Sequence, residues 1–279
     1  MPERVYTAPA RPVAAVLATR TRVLAKAGCA TPRLDAELLL GEVLGLDRAG
    51  LLTHSASEVS SAQLDAFDDM VRRRGDREPV AYILGRRAFR HLELNVDPRV
   101  LIPRPETELL VEVALGLPTG AAVADVGTGS GAVALALAFE RPDLRVCGLD
   151  ASQAALAVAR ANGVRLGLPV SFACADLLDG QAYEAVVANL PYVRAAEFAT
   201  LPAEVAGYEP RLALDGGRDG LDVIRRLVAW LPPSVGFVAL EIGAGQADAV
   251  DDLLLGAGLG SVERLRDLAG IERVVVGRR

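Results

Sequence analysis

The tetrapeptide Asn189-Leu190-Pro191-Tyr192 closes the run Tyr183-Glu184-Ala185-Val186-Val187-Ala188. An asparagine carbonyl beside a proline-stiffened backbone carbonyl is suited to accept both hydrogens of a flat NH2 group. Proline fixes φ at position 191, so the acceptors are preorganised before a substrate arrives. An amide or aniline-like nitrogen is a poor nucleophile because its lone pair is delocalised. Hydrogen bonds accepted from its two N–H groups hold it toward an electrophile and favour charge building up on it. Attack is then an in-line displacement dominated by positioning. No general base has to act first, because the proton becomes acidic only once the nitrogen is alkylated. In this scheme Asn189, Pro191 and Tyr192 are the catalytic set. Asn189, Leu190, Pro191 and Tyr192 together hold the substrate, with Tyr192 packing on the planar group. The tetrapeptide alone is a weak signal, since Asn and Pro at a strand end often make only a turn.

About sixty residues upstream lies Asp125-Val126-Gly127-Thr128-Gly129-Ser130-Gly131, between an apolar run and a helical one. Glycines there let the chain turn tightly and let a ligand approach without a Cβ in the way. With Ala132 the same residues also satisfy the dinucleotide pattern G-x-G-x-x-A. Asp150, ending the next apolar run, could accept both ribose hydroxyls of either kind of nucleotide. Two acids favour S-adenosylmethionine as the cofactor. Asp125 is placed for the donor's cationic methionine end. Asp176, in Ala173-Cys174-Ala175-Asp176-Leu177, is placed to accept from an adenine amino group with Leu177 against the ring, or else to cap the next turn. The expected donor site is therefore Asp125, Gly127, Thr128, Gly129, Ser130, Gly131, Asp150, Asp176 and Leu177, with Asn189 at its edge. The two motifs in this order imply methyl transfer to a planar amino or amide nitrogen.

These residues must be positioned by an alternation of strands and helices. After residue 120, strands are expected at 121–126, 144–149, 169–174, 184–189, 235–241, 261–267 and 272–277. Helices are expected at 131–140, 152–166, 219–230 and 245–257. That pattern predicts an α/β, doubly wound, Rossmann-like sheet whose ligands bind beyond the carboxyl ends of the strands. Before it, Phe89, His91, Glu93 and Asn95 interleave with Leu92, Leu94 and Val96, which predicts a β-hairpin linker. Residues 10–75 suggest three or four short helices. Gly28 and Gly45 serve as stops, Thr31 and Ser60 or Ser61 as N-caps, and Pro32 stands at a first helical position. The run Arg72-Arg73-Arg74 with Arg77 suggests a solvated helix end or, failing that, a contact surface for an RNA-associated partner. The domain boundaries expected are 1–84 for a helical substrate-recognition domain, 85–105 for the hairpin linker and 106–279 for the catalytic domain.

The 279 residues contain 51% hydrophobic but only 4% aromatic side chains, so the core must be Ala, Val and Leu. A formal net charge of −6 disfavours a protein that grips long stretches of nucleic-acid backbone, and no direct sequence-specific nucleic-acid binding is expected. Cys29, Cys147 and Cys174 show no pairing pattern, and His54 and His91 are the only histidines, which argues against a metal site. Arg11, Arg20, Arg22 and Lys26 interrupt any leader-like apolar stretch, and no run approaches a membrane span. A cytoplasmic monomer is expected.

The chain resembles the bacterial release-factor glutamine methyltransferases, the HemK family, over nearly its whole length. The resemblance rests on the two motifs and on Leu101-Ile102-Pro103-Arg104-Pro105-Glu106-Thr107-Glu108. It extends to the segment Tyr208-Glu209-Pro210-Arg211 through Leu221, to Leu240-Glu241-Ile242-Gly243 and to Asp267-Leu268-Ala269-Gly270-Ile271-Glu272-Arg273. It implies a helical N-terminal domain, a hairpin linker and a seven-stranded methyltransferase domain that uses S-adenosylmethionine. It also implies methylation of N5 of the glutamine in the Gly-Gly-Gln loop of peptide chain release factors. Gly127 to Gly131, Asp150 and Leu177 would hold the donor, and Asn189 to Tyr192 the glutamine. Arg104, Glu106 and Glu108 could shape the glutamine entrance or serve as helix-end and ion-pair residues. The family usually carries Asn-Pro-Pro-Tyr; Leu190 is the form familiar from rRNA adenine dimethyltransferases. The rivals are therefore an N6-adenine methyltransferase acting on rRNA or DNA, glutamine methylation of a ribosomal protein, and a binding fold without turnover.

Overall fold

The computed structural model describes residues 11–279, so the first ten residues of the expected helical domain lie outside the described residues. The chain divides into two units. One extends to Gly85 and takes in Ala203–Tyr208; the other comprises Arg86–Pro202 and Glu209–Arg279.

The first unit contains the helices α1 (Val13–Lys26), α2 (Pro32–Leu44), α3 (Arg48–Thr53), α4 (Ser61–Gly75) and α5 (Val80–Leu84). A minimal antiparallel pair joins β1 (Arg11–Pro12) to β2 (Glu58–Val59). The four helices up to Gly75 meet the expectation of three or four; α5, five residues long, lies beyond them and is too short to show a periodic stripe. Gly45 ends α2 in the left-handed conformation, and Ser60 forms a capping box with Gln63 at the start of α4. Thr31 does not cap. Its backbone lacks the extended geometry of a capping residue, and its hydroxyl donates to Asp35 Oδ1 at 2.7 Å.

The arginine run ends α4, but only Arg72, its side chain 64% exposed, is a solvated helix-end residue. Arg74 is 5% exposed and lies between Asp35 (2.7 Å) and Glu204 (2.8 Å), while Arg77 reaches the other oxygen of Glu204 at 2.6 Å. Burial opposes ionisation of Glu204, but the Arg77 and Arg74 guanidiniums outweigh it and hold the carboxyl down at about 2. The two anions that flank Arg74 stand 39 and 130 residues away, so no local pattern reveals them.

The second unit opens with the antiparallel hairpin β3 (Arg86–Phe89) and β4 (Leu92–Asn95), followed by α6 (Glu108–Ala114). Then come β5 (Ala122–Val126), α7 (Ala132–Glu140), β6 (Arg145–Asp150), α8 (Gln153–Leu166), β7 (Ser171–Cys174) and β8 (Ala185–Ala188). After the excursion α9 (Ala203–Tyr208), which belongs to the first unit, follow α10 (Asp222–Ala229), β9 (Phe237–Glu241), α11 (Ala247–Gly256), β10 (Ser261–Arg266) and β11 (Glu272–Arg278). Every strand and helix expected after residue 120 is present. What the sequence pattern did not reveal is the segment between β8 and α10, where α9 and the single turns Ala195–Thr200 and Arg211–Ala213 lack a hydrophobic period.

The seven-stranded sheet has the order β10-β11-β9-β8-β5-β6-β7, with β11 antiparallel to both of its neighbours and the remaining pairs parallel. The alternation of small apolar side chains covers both faces. Val123, Val187, Ala239 and Val276 pack under α6 and α7, whereas Ala124, Val186, Val238 and Val275 pack under α10 and α11. The strand order reverses between β5 and β8, which leaves a crevice beyond their carboxyl ends. No helix among the described residues is long and apolar enough to cross a membrane.

Candidate active site

The glycine turn follows β5 into that crevice. Gly127, Gly129 and Gly131 all have positive φ, and the Gly127 and Thr128 amides donate to Leu149 O at 2.8 and 2.9 Å. A Cβ on Gly127 would stand 3.3 Å from Leu190 Cδ2 and 3.4 Å from Asn189 O. The absent side chain is thus what lets the turn and the Asn-x-Pro-Tyr loop lie against each other.

One cavity is lined by Asp125, Gly127, Thr128, Gly129, Ser130, Asp150, Asp176, Leu177, Asn189, Leu190 and Pro191. The structure therefore gathers eleven of the thirteen expected residues around one space. The other two sit outside the lining. Gly131 packs against Leu135, Ala159 and Phe172, so its role is to let helix approach sheet. Tyr192 places its ring against Gly243 and its hydroxyl 3.4 Å from Glu241 Oε1.

The acids differ in what they are free to do. Asp125 is buried, and its Oδ2 accepts from Thr128 Oγ1 at 2.6 Å and from Ala134 N at 3.1 Å. Burial lifts its pKa to about 6 against those two donors. Its bonded oxygen ties the turn to α7. Asp150 receives Gly129 N at 2.9 Å on one oxygen and Ser152 N at 2.8 Å on the other. A carboxylate has about four acceptor positions, so lone pairs remain for two ligand hydroxyls. Burial raises the Asp150 pKa, and the two amides oppose that rise. Asp176 is engaged by Arg226 at 2.5 Å, and both residues line the cavity. Leu177 is buried with φ of 79°, a strained setting for a bulky residue.

Asn189 is held by its nitrogen. Nδ2 donates to Thr107 Oγ1 at 3.1 Å, and no hydrogen bond from the described residues reaches Oδ1. The carbonyl end is the uncommitted end. Gln246, 3% exposed, braces the loop: its Nε2 donates to Tyr192 O at 3.1 Å and its Oε1 accepts from Gly243 N at 2.8 Å. Leu190 is 4% exposed and belongs to the apolar cluster of the α10–α11 face as well as lining the cavity.

Thr107, Glu241, Gln246 and Arg226 were not picked out by sequence reasoning. The only available signal was the presence of Thr107 and Glu241 inside two of the family-like segments. Of the three charged residues expected near the entrance, Arg104 pairs with the buried Glu209, whose carboxylate also accepts from Ile102 N at 3.3 Å. Glu108 instead accepts from Arg90 N at 3.1 Å beside the hairpin. Buried Asn162 joins hairpin and turn, donating to Asn95 O and Ser130 O at 3.0 Å each.

A glycine-rich turn and the acid Asp150, facing the Asn189–Tyr192 loop across the switch point of a doubly wound sheet, form the arrangement of a methyltransferase. Residues 15–85 match a family model described as the PrmC N-terminal domain, and residues 105–205 match one described as the methyltransferase small domain. The release factor glutamine methyltransferase of Geobacter sulfurreducens is 42% identical over 262 residues, covering 91% of this chain and 92% of its own. That of Pseudomonas aeruginosa is 44% identical over 255 residues, covering 88% and 92%. Among solved structures, the hMettl16 catalytic domain in complex with a MAT2A 3'UTR hairpin superposes with a TM-score of 0.57. It covers 75% of this chain and 82% of that one at 15% identity, a likeness of fold alone. The chain belongs to the release factor glutamine methyltransferase family.

Proposed function

We propose that this chain transfers the methyl group of S-adenosylmethionine to N5, the side-chain amide nitrogen, of the glutamine in the Gly-Gly-Gln motif of peptide chain release factors. The observation that carries the reading is Asn189, pinned through Nδ2 with its carbonyl uncommitted, in one cavity with Gly127, Gly129 and Asp150. These residues fit the donor: glycines offer a wall without side chains, and Asp150 keeps lone pairs for ribose hydroxyls. When bound, S-adenosylmethionine supplies an electrophilic methyl carbon on a sulfonium. The chain's own residues orient the attacking group. Asn189 Oδ1 and the Leu190 or Pro191 carbonyl accept the two N–H bonds of the glutamine, turning its nitrogen toward the methyl and favouring the charge that develops on it. The surplus proton leaves after the new N–C bond has formed.

Residues 1–84 serve substrate recognition, 85–105 form the linker and 106–279 carry out the transfer. The protein works as a cytoplasmic monomer without sequence-specific contact to nucleic acid, in keeping with its net charge of −6. The test is label transfer from methyl-labelled donor to a purified release factor, with rRNA as a parallel substrate. Label is expected on the release factor and lost when the motif's glutamine is replaced by alanine. Label that persists on that variant, or that goes to rRNA alone, contradicts the reading.

A further inference from the structure

Thr107 ends the turn Pro105–Thr107 and Glu241 ends β9, yet the two meet in the interior, 4% and 1% exposed. Thr107 Oγ1 donates to Glu241 Oε2 at 2.6 Å and accepts from Asn189 Nδ2 at 3.1 Å. The Tyr192 hydroxyl stands 3.4 Å from the other oxygen of Glu241. A threonine hydroxyl carries a single hydrogen. Given to Glu241, it leaves only lone pairs toward Asn189, and only the NH2 end of the amide can meet them. Turning the amide over would oppose two acceptors, or would swing the hydroxyl away and strip the buried carboxylate of its close donor.

We propose that Glu241, acting through Thr107, is a positioning residue that fixes the Asn189 amide with its carbonyl oxygen toward the substrate nitrogen. The inference rests on the glutamine-methylation reading above. It gives direction to a chain of three side chains: carboxylate accepts, hydroxyl relays, amide is oriented. The groups that face Glu241 are Thr107 and Glu106 from the turn before α6, Tyr192 from the loop after β8, and Arg273 from β11. Burial acts most strongly on Glu241, the Thr107 and Tyr192 hydroxyls oppose it, Glu106 adds to it and Arg273 counters, leaving the carboxyl at about 7. A proton on Oε2 of Glu241 would donate toward Thr107 and reverse the relay, so turnover is expected to follow the form in which that oxygen only accepts.

The experiment measures kcat, the KM for release factor and donor affinity by calorimetry in the full-length Thr107→Val, Thr107→Ser and Glu241→Gln variants. Thr107→Val and Glu241→Gln are expected to lower kcat about tenfold or more with donor affinity unchanged, the scale of a loosened polar contact. Thr107→Ser, which keeps the hydroxyl, restores kcat to within about threefold. The wild-type kcat falls on the acid side with a midpoint of about 7, and Glu241→Gln loses that limb. Wild-type kcat in Thr107→Val, or an unchanged acid limb in Glu241→Gln, overturns the proposal. Either variant decides it if the other fails to fold by circular dichroism. A wild-type protein that does not methylate the release factor contradicts the functional reading instead, so the two failures are distinguishable.

Discussion

The two halves of the site hold their polar groups in opposite ways. At the donor turn the partners are close in sequence: Thr128 bonds Asp125 three residues back, and Gly129 bonds Asp150 21 residues on. At the acceptor loop they are remote. Asn189 is held from 82 residues away, Thr107 in turn from 134, and Tyr192 O from 54. The glycine turn between β5 and α7 and the end of the neighbouring β6 bring these donor-side partners together. The acceptor side has the right shape only when β8, β9 and the turn before α6 are all assembled. Changes at the first should therefore move donor affinity, and changes at the second should move turnover.

The sharpest break between the halves comes from Asn189→Ala. Turnover should fall at least about a hundredfold, the size of losing one preorganised polar group, while calorimetry finds donor affinity unchanged within about twofold. Next in size is a stability effect at the acceptor side. The folded-state pKa of Glu241 is about 7 against 4.5 for the free group, so burial favours the protonated form and the ionised form costs stability. That cost is absent near pH 4.5, grows as pH rises through about 7 and then levels off. Glu241→Gln removes it and should be more stable than wild type by on the order of 2 kcal/mol in urea denaturation at pH 8, with no gain at pH 4.5. A gain independent of pH would sink this assignment.

On the donor side, Asp150→Ala should raise the donor Kd about tenfold, roughly 1.4 kcal/mol, with a much smaller change in kcat at saturating donor. The reverse pattern would erase the distinction between the halves. The smallest effect belongs to Leu190→Pro. Because Leu190 packs into the core, the variant should methylate the same glutamine with turnover within about threefold. A switch of target from protein to nucleic acid would make position 190 a selector after all.

The same difference explains what could be read from the chain. Most of the seven strands declare themselves as short apolar runs bounded by turns, whereas β10 (Ser261–Arg266) is a largely exposed strand with Glu263, Arg264 and Arg266; the glycine turn declares itself because positive φ restricts its residue types. Asp125 was legible as a site residue, but not its attachment to Thr128 and Ala134, since burial of a carboxylate leaves no mark on spacing. The pairing of Asp176 with Arg226 of α10, 50 residues on, is invisible to a local pattern that offers only an acceptor or a turn cap. The Tyr192 ring suggests a packing surface from its type alone, whereas its hydroxyl contact to Glu241 on the neighbouring strand leaves no local signal. Thr107 and Glu241 carry no type-specific signal at all; a threonine after a proline turn and a glutamate ending a strand are commonplace until the sheet brings them together. Arg74 shows the same rule in the first unit, where a buried pair passes for a surface charge run.

The central claim is that the Asn189 carbonyl and a loop carbonyl grip the glutamine NH2 group. A crystal structure of the protein with S-adenosylhomocysteine and a Gly-Gly-Gln peptide measures it directly. Asn189 Oδ1 should lie about 3 Å from the acceptor nitrogen with Nδ2 still on Thr107. A glutamine bound with Asn189 turned away from that nitrogen would contradict the account.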